Sequence, residues 1–174
     1  SCCGPCSTAV IERLKDYFDI TVLYYNPNIE PYEEYLKRKK EQIRLLTELN
    51  IKHMDIDYLN EEYRNKVVGY EKEPENGARC HICYRLRLEK TCKLAKENNF
   101  DYFATTLTVS PYKNAKVINE IGLNLQNKYN IKYLLSDFKK EDGYKRSIEL
   151  SKKYELYRQD YCGCLFSKEK KVDE

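Results

Sequence analysis

The sequence predicts an α/β fold, a three-layer Rossmann-like parallel sheet with helices on both faces. Short β-branched and aromatic runs alternate with segments of helical period, which is the pattern of parallel strands joined by right-handed crossovers. No internal repeat or linker divides the chain, and 174 residues with 41% hydrophobic content suffice to bury one core. One catalytic domain over residues 1–174 is therefore expected, with 168–174 as a mobile tail.

The elements follow in order. The chain opens on Ser1-Cys2 with no Met, so a first strand preceding it is expected to be missing. Ser7 to Phe18 reads as a helix with Val10, Ile11 and Leu14 on one side, and Ile20 to Tyr25 as a buried strand. Asn26-Pro27-Asn28 turns the chain into a long helix from Pro31 to Leu49, followed by a strand from Ile51 to Ile56. A short helix from Asn60 to Val68 and a polar loop from Glu71 to Ala78 lead to a helix from Ile82 to Asn98. Phe103 to Val109 reads as the next strand, Ser110-Pro111 opens a helix reaching Tyr129, Ile131 to Leu135 is a fourth strand, and Gly143 to Tyr154 a further helix.

Composition excludes several classes. Charged residues make up 34% and the mean hydropathy is −0.79, so the surface is very polar. No apolar run is long enough to span a bilayer and no secretory h-region is visible, so no membrane partner is expected. A net charge of +3 permits an RNA partner without requiring one. Local basic clusters at Lys37-Arg38-Lys39-Lys40, Lys139-Lys140, Lys145-Arg146 and Lys152-Lys153 with Arg158 can neutralise phosphates. Interleaved with Glu, each reads more simply as a solvated helix face.

Seven of the eight cysteines form three tight groups: Cys2, Cys3 and Cys6 in SCCGPCS, Cys80 and Cys83 in ARCHICY, and Cys162 and Cys164 in YCGC. A chain this long needs no disulfide staples, and adjacent cysteines pair poorly, so a reduced, cytoplasmic protein is expected. Three chemistries compete: a structural zinc, a dithiol redox pair and an iron–sulfur centre. One tetrahedral zinc or one cubane cluster takes at most four thiolates. Seven convergent ones leave a surplus for a second metal with an open position, which favours a redox metal site. Adjacent side chains such as Cys2 and Cys3 tend to diverge, so they are expected to serve two neighbouring metals. Cys92 stands alone in a helix and reads as a small buried apolar residue.

In a parallel sheet, function sits in the loops after the strands. Those loops carry Tyr25, Asn26 and Asn28, then Asp57-Tyr58, then Thr105, Thr106, Ser110, Tyr112 and Lys113, and finally Ser136-Asp137-Phe138. With a preceding strand, SCCGPCS occupies the first such loop. Thr105, Thr106 and Ser110 read equally as helix caps or as hydroxyls for a polyol. His53 reads as a surface or core residue, and His81 as a spectator or a tuner of the metal site. Some of the 17 tyrosines can stack on a nucleobase. Nothing resembles a phosphate-binding glycine loop, so nucleotide hydrolysis is disfavoured.

SCCGPCS, YNPNIEPYEEYLKR, CHICYRLRLEKT, FATTLTVSPYKN and YRQDYCGCLFS together resemble the QueH family, the cobalamin-independent epoxyqueuosine reductases. The likeness runs from Ser1 to Ser167. It implies reduction of the cyclopentane epoxide to the cyclopentene on the wobble base of tRNA, and a layout similar to the HUP class of α/β proteins. It also implies a [4Fe-4S] cluster beside a mononuclear iron, which accounts for the surplus of thiols, and an external electron donor. On this reading all seven grouped cysteines are ligands, and Tyr112, Lys113 and Asp137 are candidate proton donors. Tyr25, Asn26, Asn28, Thr105, Thr106 and Ser110 are candidate substrate contacts. The basic clusters then hold phosphates of the anticodon loop. Two rivals remain at this point: a zinc-stabilised RNA-binding module, and a thiol-using tRNA sulfurtransferase, which the missing phosphate loop disfavours.

Overall fold

Val22, Leu23 and Tyr24 are the buried residues of β1 (Thr21–Tyr24) in a computed structural model that describes residues 1–169. β1 pairs in parallel with β2 (Lys52–Asp55), in register from Thr21↔Lys52 to Tyr24↔Asp55. A second parallel pair joins β3 (Tyr102–Phe103) to β4 (Lys132–Tyr133). Among the described residues the strands thus form two two-stranded parallel sheets, where the sequence predicts one continuous sheet.

The expected strand from Phe103 to Val109 stops almost at once, for a local reason. Thr105 Oγ1 accepts from the Leu107 amide at 3.1 Å, and the Val109 amide bonds the Thr106 carbonyl at 3.2 Å. These bonds compete with a strand ladder and wind Leu107–Val109 into a single 3₁₀ turn. The expected strand from Ile131 to Leu135 is limited with it, since a strand extends only as far as its partner.

Helix boundaries shift towards the thiols. α1 (Gly4–Leu14) starts three residues before Ser7, with extended Cys3 at the N-cap and Pro5 in the first turn, where a missing N–H is harmless. The loop expected around SCCGPCS is therefore largely the first turn of a helix. α2 (Tyr32–Glu48) follows Pro31 with Glu33 and Glu34 in its first turn, where the helix dipole favours them. After α3 (Asn60–Lys66), α4 (Ala78–Glu97) starts four residues before Ile82 and so carries both Cys80 and Cys83. α5 (Ala115–Tyr129) is opened by Asn114 and not by Ser110, because the Asn114 side chain accepts from the Lys116 and Val117 amides at 3.1 and 3.3 Å.

α6 (Gly143–Lys153) packs against α1, with Arg146 bonded to Glu12. α7 (Leu165–Glu169) includes Lys168 and Glu169, the start of the expected tail. The remaining tail residues, 170–174, lie outside the described residues.

The larger core gathers Leu88, Cys92 and Ala95 of α4, Ile118 and Leu125 of α5, Phe103 and Tyr133 from the second sheet, and Ile131 just before β4. Each fully buried Leu or Ile here contributes about 1.5–3 kcal/mol by leaving water. Gly122 lets the Tyr133 ring lie directly on α5, where any Cβ would overlap it. A smaller core of Ile11, Val22 and Leu46 joins α1 and α2 to β1.

Candidate metal centre

The first turn of α1 builds the tightest thiol group. Cys3 and Cys6 stand three positions apart and share a helix face, and Cys2 precedes them. The three sulfurs lie within 4.8 Å of one another, with Cys2 Sγ and Cys3 Sγ 3.7 Å apart. The expectation that Cys2 and Cys3 diverge is corrected. Side chains alternate along a strand, but here the backbone turns from extended at Cys3 into a helix and folds them together. All eight cysteines are free thiols. Sulfurs bonded to one tetrahedral ion at about 2.3 Å stand about 3.8 Å apart, so the donor set fits a thiolate-bound metal.

The other four thiols come from distant parts of the chain. Cys83 of α4 packs with Cys164, Tyr63 and Val67. Cys80 Sγ accepts from the Asn76 amide at 3.3 Å, and Cys162 Sγ accepts from Lys113 Nζ at 3.0 Å. The loop carrying Cys162 and Cys164 is held by its backbone. Arg38 donates to the Cys162 and Tyr161 carbonyls at 3.1 and 3.3 Å, and Glu30 N donates to the Gly163 carbonyl at 2.8 Å. Gly163 has φ +137°, a conformation that favours glycine.

Two links bring the groups together. Cys2 packs against the core cluster that contains Cys80. Gln159, three residues before Cys162, donates from Nε2 to Cys3 Sγ at 3.1 Å.

Proximity divides the trio's protons unequally. Hydrogen bonds from the Cys3 and Cys6 thiols, aided by the Arg87 charge, hold Cys2 well below the usual thiol range. The same bond to Cys2 pushes Cys3 up to about 12, and Cys6 is raised by its bonds to Cys2 and Cys3. The shared bonds thus favour the charged form at Cys2 over the charged form at its two neighbours. Burial pushes Cys83 up to about 12 and raises Cys80 as well. Burial pulls the Lys113 ammonium down, but Cys162, Tyr84 and Glu75 together carry it above the usual lysine range. A metal would displace the remaining thiol protons on binding.

The other sequence-derived candidates separate. Lys113 is buried against Cys162 and lies 3.4 Å from Glu75. Tyr112 beside it is 71% exposed. Asp137 pairs with Lys139 and Lys140, and among the described residues no hydrogen bond or ion pair joins it to a cysteine. Tyr25 donates to Glu62, and the Asn26 amide is engaged on both sides, by Ser1 O and by Arg87. Asn28 is buried with Oδ1 unpartnered among the described residues. Thr106 is buried 3.5 Å from Ser1 Oγ, Thr105 shapes the 3₁₀ turn, and Ser110 Oγ accepts from the Tyr112 amide.

Sequence reasoning placed Arg38 in a phosphate-binding cluster, and the structure corrects this. Arg38 is 1% exposed, pairs with Glu34 at 2.6 Å and holds the CGC loop. Gln159 and Arg87 were not singled out at all. Arg87 could have been found, because positions 80, 83 and 87 fall on one face of a helix. Gln159 left no such signal.

Fold and site together define a mixed α/β protein with a cysteine cluster able to bind a metal. Residues 1–170 match the family model described as "Epoxyqueuosine reductase QueH". The chain is 46% identical over 172 residues to the epoxyqueuosine reductase QueH of Streptococcus pyogenes serotype M1, covering 95% of this chain and 68% of that protein. It is 46% identical over 175 residues to that of Staphylococcus epidermidis (96% and 74%), and 34% identical over 169 residues to that of Thermotoga maritima (95% and 86%). The chain belongs to the QueH family.

Proposed function

We propose that this chain reduces epoxyqueuosine to queuosine at the wobble position of tRNA, as one catalytic domain. The reaction removes the epoxide oxygen as water and consumes two electrons and two protons. Relatives named epoxyqueuosine reductase support the reaction, and the observation that carries the site is the convergence of Cys2, Cys3 and Cys6 at the start of α1. The four thiols of Cys80, Cys83, Cys162 and Cys164 complete the ligand set for a [4Fe-4S] cluster and an additional iron. When bound, such a centre relays electrons one at a time from an external donor.

The remaining work falls to side chains. Lys113, buried with its ammonium on Cys162, is the best placed of the proton-donor candidates, ahead of exposed Tyr112 and ion-paired Asp137. Tyr25, Asn26, Asn28, Thr105, Thr106 and Ser110 orient the cyclopentane diol and the deazaguanine. The wobble base is splayed out of the anticodon loop to reach them, as single-stranded RNA permits.

A groove of about 570 Å³, lined by Val22, Leu23, Phe103 and Leu134 among others, separates the two sheets. We read them as the halves of one three-layer Rossmann-like, HUP-like sheet. No described helix is long and apolar enough to cross a membrane, and a reducing cytoplasm suits eight free thiols.

The test is conversion of epoxyqueuosine-bearing tRNA by anaerobically reconstituted protein and a chemical reductant, followed by nucleoside mass spectrometry. Queuosine is expected, together with iron in excess of one cubane cluster and tRNA binding that weakens as salt rises. A colourless protein holding a single zinc, with no conversion, overturns the reading.

A further inference from the structure

Arg87 is a buried cation that pairs with no carboxylate among the described residues. It is 8% exposed, its terminal nitrogen donates to Asn26 Oδ1 at 2.7 Å, and its Nε is unpartnered among the described residues. Of the two other most deeply buried arginines, Arg38 pairs with Glu34, and Arg79, whose Nε is likewise unpartnered among the described residues, is held by three carbonyls, of Tyr70, Glu71 and Glu73. A guanidinium facing one neutral amide in the interior is unfavourable unless anions lie beside it. The anions within reach are thiolates. Cys83, ionised once a metal displaces its proton, lies one turn earlier on the same face of α4, and Asn26, which Arg87 holds, bonds Ser1 O immediately before Cys2.

We propose that Arg87 is the counter-charge of the thiolate centre, a positioning residue that holds the two thiol groups in one arrangement and neutralises them. Asn26 completes the device. Its Oδ1 receives Arg87, while its Nδ2 donates to Ser1 O at 2.8 Å, immediately before Cys2. One amide therefore ties the cation on α4 to the segment bearing the trio. A metal held by several thiolates is a net anion, so a fixed neighbouring cation stabilises it. Reduction adds negative charge, so the same cation also favours the reduced form.

The test uses the metal-free chain, Arg87→Met and Arg87→Lys, titrated anaerobically with Co²⁺ and read by thiolate-to-cobalt charge-transfer absorption. Arg87→Met is expected to bind cobalt about tenfold more weakly, as loss of an outer-shell partner typically does. Arg87→Lys is expected to keep affinity near that of the unmodified chain. After reconstitution with iron, the midpoint potential should fall in Arg87→Met and recover in Arg87→Lys. A purely structural role would not be rescued by charge in this way.

Unchanged cobalt affinity and potential in Arg87→Met overturn the proposal, as does Arg87→Lys matching a weakened Arg87→Met. Should Arg87→Met not fold, Arg87→Lys decides alone: near-normal uptake supports the role and a tenfold loss overturns it. The inference rests on the thiolate-centre reading, and the failures differ. Absence of the charge-transfer band in the unmodified chain removes both, whereas a normal band there with an unaltered Arg87→Met removes only the role of Arg87.

Discussion

The two thiol groups are assembled in opposite ways. Cys2, Cys3 and Cys6 meet within one turn at the start of α1, and local backbone geometry alone places their sulfurs within 4.8 Å. Cys80 and Cys83 ride on α4, whereas Cys162 and Cys164 sit in a C-terminal loop that reaches them through Arg38, Lys113 and the backbone bond from Glu30 to Gly163. The trio depends on helix nucleation and the second group on tertiary packing. Substitutions far from sulfur should therefore damage the second group and spare the first.

The largest effect is expected from the thiols themselves. Cys6→Ser should abolish epoxyqueuosine reduction and lower the metal content while leaving the melting temperature near normal, because Cys6 is half-buried at a helix face. Cys164→Ser should lose activity and also stability, since its sulfur is buried against Tyr63 and Val67. Metal analysis and thermal melts on the same preparations separate the two.

The next difference is in reactivity. The pKa of Cys2 is depressed, so it ionises at lower pH than an ordinary thiol, whereas Cys3 and Cys83 ionise only as the pH approaches about 12. In metal-free protein at neutral pH, iodoacetamide should modify Cys2 faster than either, since only the thiolate reacts. Peptide mass spectrometry over time reads this directly, and equal rates would show that the trio does not share its protons as described.

Arg38→Met should cost about 3–5 kcal/mol, the usual effect of breaking a buried ion pair from one side, here leaving Glu34 unpaired and the CGC loop unanchored. Urea denaturation gives the stability loss, and cobalt titration should show the trio still competent. Gly163→Ala is expected to be milder, about 1–3 kcal/mol of backbone strain. At φ +137° its new Cβ would also stand 3.0 Å from Ile29 Cγ1. If Gly163→Ala disturbed Cys2 alkylation, the separation between the groups would fail.

Much of this was legible in order along the chain, and the misreadings are instructive. Apolar periodicity located α1 to α6, but it missed the short α7, and it could not see that Asn114 outcompetes Ser110 as a cap or that α4 begins early enough to carry Cys80. Phe103 to Val109 has strand composition throughout, yet the Thr105 hydroxyl captures the Leu107 amide and ends the strand. Arg38, read with three lysines as a surface cluster, is buried because its neighbours in space are Glu34 and two carbonyls that arrive from the other end of the chain.

By itself the sequence determined the α/β alternation, the seven grouped thiols and the trio, because these depend on spacing along a few residues. Only the tertiary structure decided that Lys113 lies on Cys162, that Gln159 donates to Cys3 and that Arg87 donates to Asn26, which in turn bonds Ser1 beside the trio. Those contacts join residues far apart in the chain. Helix and strand periods constrain which face a side chain occupies, but the partner across the interior is chosen by packing and by where buried charge can be neutralised.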